Sequence, residues 1–286
     1  MRTQAGTRGS VIAPSRAEVT FGREANGSTF VRRQFASYPF HFCRPHHFAG
    51  DAPGMVTLYV QSLSGGIYEN ERLSLAVVAE PETRAHVTSQ ASTIVHSMDA
   101  EHAETTVAID AGEAAVIEYM PDPLILFPEA RLCSTMSIRR HDTAVVICAD
   151  AFLIHDPENA GRPFGYLDSR LDITDDDGKL LARDRLILNG DSFLSRRVIR
   201  KGGYVALATV TVVAPKALSV RLVKAMREAL SGLADTYAGA STLPNACGAW
   251  VRLLAADGAS LRAATEAAWA AARETITGQR PDHRRK

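Results

Sequence analysis

The segment His41-Phe42-Cys43-Arg44-Pro45-His46-His47 gathers three imidazoles and a thiol into seven residues. Imidazole and thiolate suit Ni²⁺ or Zn²⁺, which makes His41, Cys43, His46 and His47 the candidate metal ligands. Their spacing matches no standard zinc pattern, and Pro45 imposes an extended kink between the halves. A second reading is a strand entering a loop, with Phe40, Phe42 and Phe48 buried and the histidines at the surface as a weak or transit site. The remaining histidines, among them His86, His96, His102, His141 and His155, stand alone in strand-like segments. His86 and His96 would share one face of an unbroken strand, because their separation is even.

The acidic run Asp172-Ile173-Thr174-Asp175-Asp176-Asp177-Gly178 invites a calcium-loop reading. With the glycine at Gly178, such a loop requires a carboxylate where Ile173 stands. Asp177-Gly178 as a hairpin turn accounts for it better. For catalysis the chain has no G-x-S-x-G elbow, no phosphate-binding G-x-x-x-x-G-K-[ST], no G-x-G-x-x-G and no H-E-x-x-H. A Ser-His-Asp or Cys-His set assembled only in space stays open, and with it a β-rich hydrolase.

The elements that must position these residues are mostly short strands. Val19 and Phe21 face Phe30 and Val31 across Asn26-Gly27, a strong hairpin signal. Val56, Leu58 and Val60 alternate with polar neighbours, as do Leu73, Leu75 and Val77 after the Gly65-Gly66 turn. Further strands are expected over 84–96, 104–109, 113–119, 131–140, 143–154, 164–175, 178–188 and 203–213. Short strands at such regular spacing indicate a sandwich, barrel or solenoid and not βαβ units. After Pro215, Leu218, Leu222, Met226 and Leu230 recur at helical spacing, with Val223 and Leu233 beside them. A strand near 248–255 precedes a last helix. There Ser260 is the expected cap, Leu261, Thr265, Ala268, Trp269, Ala272 and Ile276 form the stripe, and Gly278 is the stop. No linker divides the chain and no strict repeat is visible. We expect a single domain over 16–278, with flexible tails at 1–15 and 279–286.

The 286 residues are 46% apolar and 22% charged, with 32 basic residues against 32 acidic ones. This composition is globular, and the zero net charge gives no reason to expect nucleic acid or an anionic membrane as partner. Four scattered cysteines, no secretory signal and no apolar run of about 18 residues predict a cytoplasmic protein with reduced thiols and no membrane span.

Several stretches, in order, resemble motifs of the urease accessory protein UreD (UreH) family. Ser64-Gly65-Gly66-Ile67-Tyr68-Glu69-Asn70-Glu71-Arg72-Leu73 is similar to that family's Gly-Gly-Leu-Val-x-Gly-Asp-x-Leu. Val87-Thr88-Ser89-Gln90-Ala91-Ser92-Thr93-Ile94-Val95 resembles its Thr-Thr-Gln-Ala-Ala-Thr-Lys-Val. Ile117-Glu118-Tyr119-Met120-Pro121-Asp122-Pro123-Leu124-Ile125 resembles its Leu-Glu-Trp-Leu-Pro-Gln-Glu-x-Ile. The Asp177–Leu186 hairpin and the stretch from Ala240 through Gly248 and Val251 to Trp269 are similar to its late hairpin and C-terminal region. Here Asn70-Glu71 replaces Gly-Asp, Ile94 replaces Lys, Tyr119 replaces Trp and Pro121-Asp122-Pro123 replaces Pro-Gln-Glu.

The resemblance implies a mainly β, β-helix-like body with two α-helices near the C-terminus and no enzymatic activity. It implies binding to apo-urease, to a helical urease accessory adaptor (UreF-like) and to a nickel-carrying GTPase (UreG-like). No cofactor is expected to be tightly bound, and nickel would pass transiently through a polar internal channel. Candidate channel or partner residues within the matched motifs are Glu71, Thr88, Gln90, Ser92, Glu118 and Asp122. Thr88, Gln90 and Ser92 would share one strand face. The rival reading is a stand-alone nickel metallochaperone using the His41–His47 cluster.

Overall fold

The computed structural model of the protein describes residues 14–281. The expected tails at 1–15 and 279–286 fall largely outside these residues. Ser15, expected at the end of the first tail, instead opens the first strand, because it pairs with Leu73.

The chain winds between two sheets. It begins with the expected hairpin of β1 (Ser15–Arg23) and β2 (Thr29–Ala36), followed by β3 (Phe40–Phe42) and β4 (Val56–Ser62). The body then runs through β5 (Arg72–Ala79), β6 (Arg84–Ser89), β7 (Ile94–Val95), β8 (Ala103–Ala111), β9 (Val116–Tyr119), β10 (Leu124–Leu126), β11 (Arg131–Arg140), β12 (Val145–Ile154) and β13 (Tyr166–Thr174). Strands β5, β8, β11 and β13 lie parallel in sheet A, and β4, β6, β9 and β12 lie parallel in sheet B. Successive coils therefore stack as in a β-solenoid. Their turns stack too: the amide of Glu80 bonds the Phe21 carbonyl, that of Gly112 bonds Ala79, and that of His141 bonds Ala111. On a narrow third side, β10 lies between β7 and β12.

The strand expected over 84–96 is in fact two. The chain leaves β6 at Ser89, turns through 90–93 and resumes as β7, because the corner onto the third side intervenes. His86 and His96 consequently do not share a strand face.

Beyond the coils, sheet A ends in β14 (Leu180–Asn189), paired with β13 across the Asp177-Gly178 turn, where Gly178 adopts φ 78°. Two short helices, α1 (Gly190–Ser195) and α2 (Arg197–Gly202), follow. Sheet B continues antiparallel through β15 (Ala206–Val213), β17 (Gly248–Ala255) and β16 (Thr236–Thr242). The helices α3 (Ser219–Leu230) and α4 (Gly258–Thr277) cover the outer face of this extension.

Strand β12 is apolar on both faces for this reason. Val146 and Cys148 point between the sheets beside Ile117 and Ile138, while Ile147 and Ala149 point at Leu222, Met226 and Leu261. The cap of α4 is Asp257 and not Ser260: the Asp257 carboxylate accepts the Ser260 N–H at 2.7 Å, and Gly278 closes the helix with φ 74°.

Candidate functional site

Glu118 alternates along β9 with Ile117 and Tyr119, which face the space between the sheets, so its carboxylate points outward beneath α4. It is fully buried. Arg273 of α4 donates Nε–H to Oε1 at 2.6 Å and Nη2–H to Oε2, Trp269 donates Nε1–H to Oε2 at 2.9 Å, and His86 Nδ1 lies 2.7 Å from Oε2. The same guanidinium reaches Asp51 Oδ1 at 3.0 Å, and Thr57 donates to Asp51 Oδ2 at 3.0 Å. Burial, the largest influence on Glu118, opposes its ionisation. The hydrogen bonds and charges of Arg273 and His86 outweigh burial and hold the carboxyl down to about 2. This network joins α4 to three segments distant in sequence. With its carboxylate committed to Arg273, Trp269 and His86, Glu118 reads as structural.

One cavity borders that network at His86 and Trp269, and two more follow from it. The first, about 360 Å3, lies between α4 and the ends of β6 and β9, lined by Thr88, Asp122, Arg262 and Glu266 among others. The second, about 170 Å3, lies between the sheets, where Gln61, Ser89, Thr93, Asp122, Ser134 and Asp150 present oxygen atoms beside apolar walls. The third, also about 170 Å3, is lined by Gln61, Ser89, Gln90, Ser92 and Thr93. The first and second share Thr88 and Asp122, and the second and third share Gln61, Ser89 and Thr93. Neighbouring members of this row thus share polar lining residues.

Its hinge is the pair Ser89 and Asp122. The Asp122 amide donates to Ser89 Oγ at 2.7 Å, Ser89 Oγ donates back to Asp122 Oδ2 at 3.3 Å, and Arg262 Nη2 stands 3.8 Å from Oδ1. Thr88 donates to the Met120 carbonyl at 2.6 Å. Gln90 accepts from Gln61. Since Gln90 and Ser92 lie beyond the end of β6, what brings them near Thr88 is the corner of the coil and not a shared strand face. Glu71 sits apart from the row, accepting the Tyr68 N–H at 3.0 Å.

Asp150 carries no motif in the sequence. It follows Val146 and Cys148 on the inward face of β12 and bonds Ser169 of β13 across the gap between the sheets. Burial foremost, and then the charge of Asp184, push its carboxyl above the usual range, against the pull of Ser169 and Arg252. The period-two alternation of β12 could have flagged it, as an acid at an inward position.

The imidazole and thiol cluster does not converge. His41 lies exposed on β3 opposite Gln61, and the Cys43 amide bonds the Tyr59 carbonyl. His46 bridges to Thr57 and stacks on Phe48 with centroids 5.6 Å apart, and His47 Nδ1 lies 3.0 Å from the Met55 carbonyl. Among the described residues, no three His, Cys, Asp or Glu side chains are placed to hold one metal ion.

A family model described as "UreD urease accessory protein" matches residues 13–286. The chain is 41% identical over 271 residues to "Urease accessory protein UreD 1" of Pseudomonas syringae pv. tomato, covering 94% of this chain and 95% of that one. It is 39% identical to the protein of the same name from Pseudomonas syringae pv. syringae, again over 94% and 95%. With "Urease accessory protein UreD 1" of Methylorubrum populi the identity is 36%, over 94% and 91%.

Proposed function

Because the chain belongs to the UreD urease accessory protein family, we propose that it is a non-enzymatic scaffold that binds apo-urease together with a helical adaptor and a nickel-carrying GTPase. In this reading it acts in the cytoplasm, and nickel is cargo that crosses the molecule toward the urease active site. No helix among the described residues is long and apolar enough to cross a membrane.

The observation that carries the reading is the row of three cavities whose neighbours share polar lining residues, Thr88 and Asp122 between the first and second and Gln61, Ser89 and Thr93 between the second and third. A hydrated divalent ion moves by exchanging waters for ligands that bind it weakly. Hydroxyl, amide and spaced carboxylate oxygens do this, whereas an imidazole–thiolate cage holds nickel tightly. Thr88, Ser89, Gln90, Ser92 and Thr93 would replace waters one at a time, and Asp122 and Asp150 would supply negative charge at two separated points. Burial, which pushes the Asp150 carboxyl above its usual range, sets it apart from Asp122 as the more enclosed of the two.

The test is co-expression with urease subunits and the other accessory proteins, with and without this chain. Nickel per urease active site and urease activity should both depend on it. Full nickel loading in its absence would refute the proposal.

A further inference from the structure

Asp122 and Thr88 belong to the walls of both the first and the second cavity, so an ion passing from one to the other meets the Asp122 carboxylate. Helix α4 supplies much of the first cavity's wall. Arg262 opens the second turn of that helix, and its Nη2 stands 3.8 Å from Asp122 Oδ1. The two members of this pair are unequal. The Asp122 side chain is 8% exposed and tied to Ser89, whereas that of Arg262 is 52% exposed. The carboxylate is fixed in place, and the guanidinium sits on a long flexible stem that can carry it away.

A second position for that guanidinium is built into the same wall. Thr265 and Glu266 follow Arg262 at i+3 and i+4, the spacings at which helical side chains meet, and both line the first cavity. The Thr265 hydroxyl oxygen is buried and makes no hydrogen bond with any described residue. His86 and Arg280 are the other ionisable groups of this lining. While Arg262 stands beside Oδ1, the carboxylate presents little net charge, and a divalent ion arriving there is opposed by a like charge at close range. A guanidinium drawn toward Thr265 and Glu266 removes that opposition.

We propose that Arg262 is a tethered counter-ion that gates nickel at Asp122: paired, it withholds the carboxylate, and on returning it displaces the ion. The inference rests on the reading of nickel as cargo and adds the regulation of its passage. A half-exposed pair this loosely held contributes little to the fold. Its effect therefore appears in metal affinity and not in stability.

The test titrates nickel alone into the purified full chain by calorimetry. R262Q removes the charge and should bind nickel about tenfold more tightly than the native chain at unchanged melting temperature. R262K keeps the charge and should restore the native affinity. In a D122N background the Arg262→Gln change should have no effect, which separates Asp122 from nickel held by surface histidines. Co-expressed with urease subunits and accessory proteins, R262Q should deliver less nickel per urease active site, because the ion is retained. Unchanged affinity in R262Q, an equal gain in the D122N background, or undiminished delivery would overturn the proposal. If urease loads fully without the chain, the cargo reading falls; if loading needs the chain while R262Q alters neither affinity nor delivery, only the gate falls.

Discussion

Glu118 and Arg273 set the stakes at the scale of single residues, since each is a fully buried charge whose partner lies on another element. Removing one charge leaves the other uncompensated in a medium that solvates it poorly. Glu118→Gln should therefore lower stability by about 3–5 kcal/mol in denaturant titration, and Arg273→Met should do the same. The pH dependence has a definite sign. The folded-state pKa of Glu118, about 2, lies below its ordinary value of 4.5, so the ionised carboxylate stabilises the fold above about pH 4.5. That contribution is lost as pH falls toward 2. Unfolding free energies measured across this window should fall steeply for the native chain and more shallowly for Glu118→Gln. In the sequence Glu118 reads as a candidate for the channel. Its position in a motif was legible, but the guanidinium that neutralises it lies far away along the chain and carries no local signal.

Among the elements, α4 and the β15–β17 pair are the clearest cases of local chemistry setting structure. Asp257 caps α4 through the Ser260 amide. Asp257→Ala should cost about 1 kcal/mol, read as a lowered melting temperature, with the buried network intact. Gly248 begins β17 with φ 143°, and a Cβ there would lie 1.9 Å from the Val212 carbonyl oxygen. Gly248→Ala should accordingly cost about 2 kcal/mol or more in the same assay, the largest loss expected from adding one methyl group to this part of the sheet. Helix α4 was legible from its apolar spacing and its stop glycine, but its cap was misplaced, because serine and aspartate are both good caps and spacing alone does not separate them. The short strand β16 gave no signal, since Thr236-Tyr237-Ala238-Gly239-Ala240-Ser241-Thr242 is mostly small and polar and gains its place by pairing with β17.

For the whole molecule, the stacked coils and the helix α4 that covers them together create the row of cavities, and the proposed passage of nickel stands or falls with it. Asp150→Ala removes an inward carboxylate without touching the Glu118 network. It should reduce nickel delivered to co-expressed urease by roughly tenfold while this chain still co-purifies with its partners, as quantified by metal analysis of the purified urease. Loss of the assembly itself, with nickel delivery falling only in proportion, would instead make Asp150 a structural residue. The coils were not legible as a repeat, because the segments between stacked positions such as Ala79, Ala111 and Arg140 differ in length and the third-side strands β7 and β10 are very short.

Taken alone, the sequence determined what depends on neighbours along the chain: strand and helix identity from period-two and helical spacing, the turns at Asn26-Gly27 and Asp177-Gly178, and the ordered motifs that place the chain among UreD proteins. The tertiary structure alone decided which polar side chains meet. It dispersed the crowded His41–His47 segment, buried Glu118 against Arg273, and brought Asp122 and Asp150 to one cavity. The physical reason is that backbone preference is a short-range property, whereas the burial and pairing of a charge depend on which distant segment the fold sets against it.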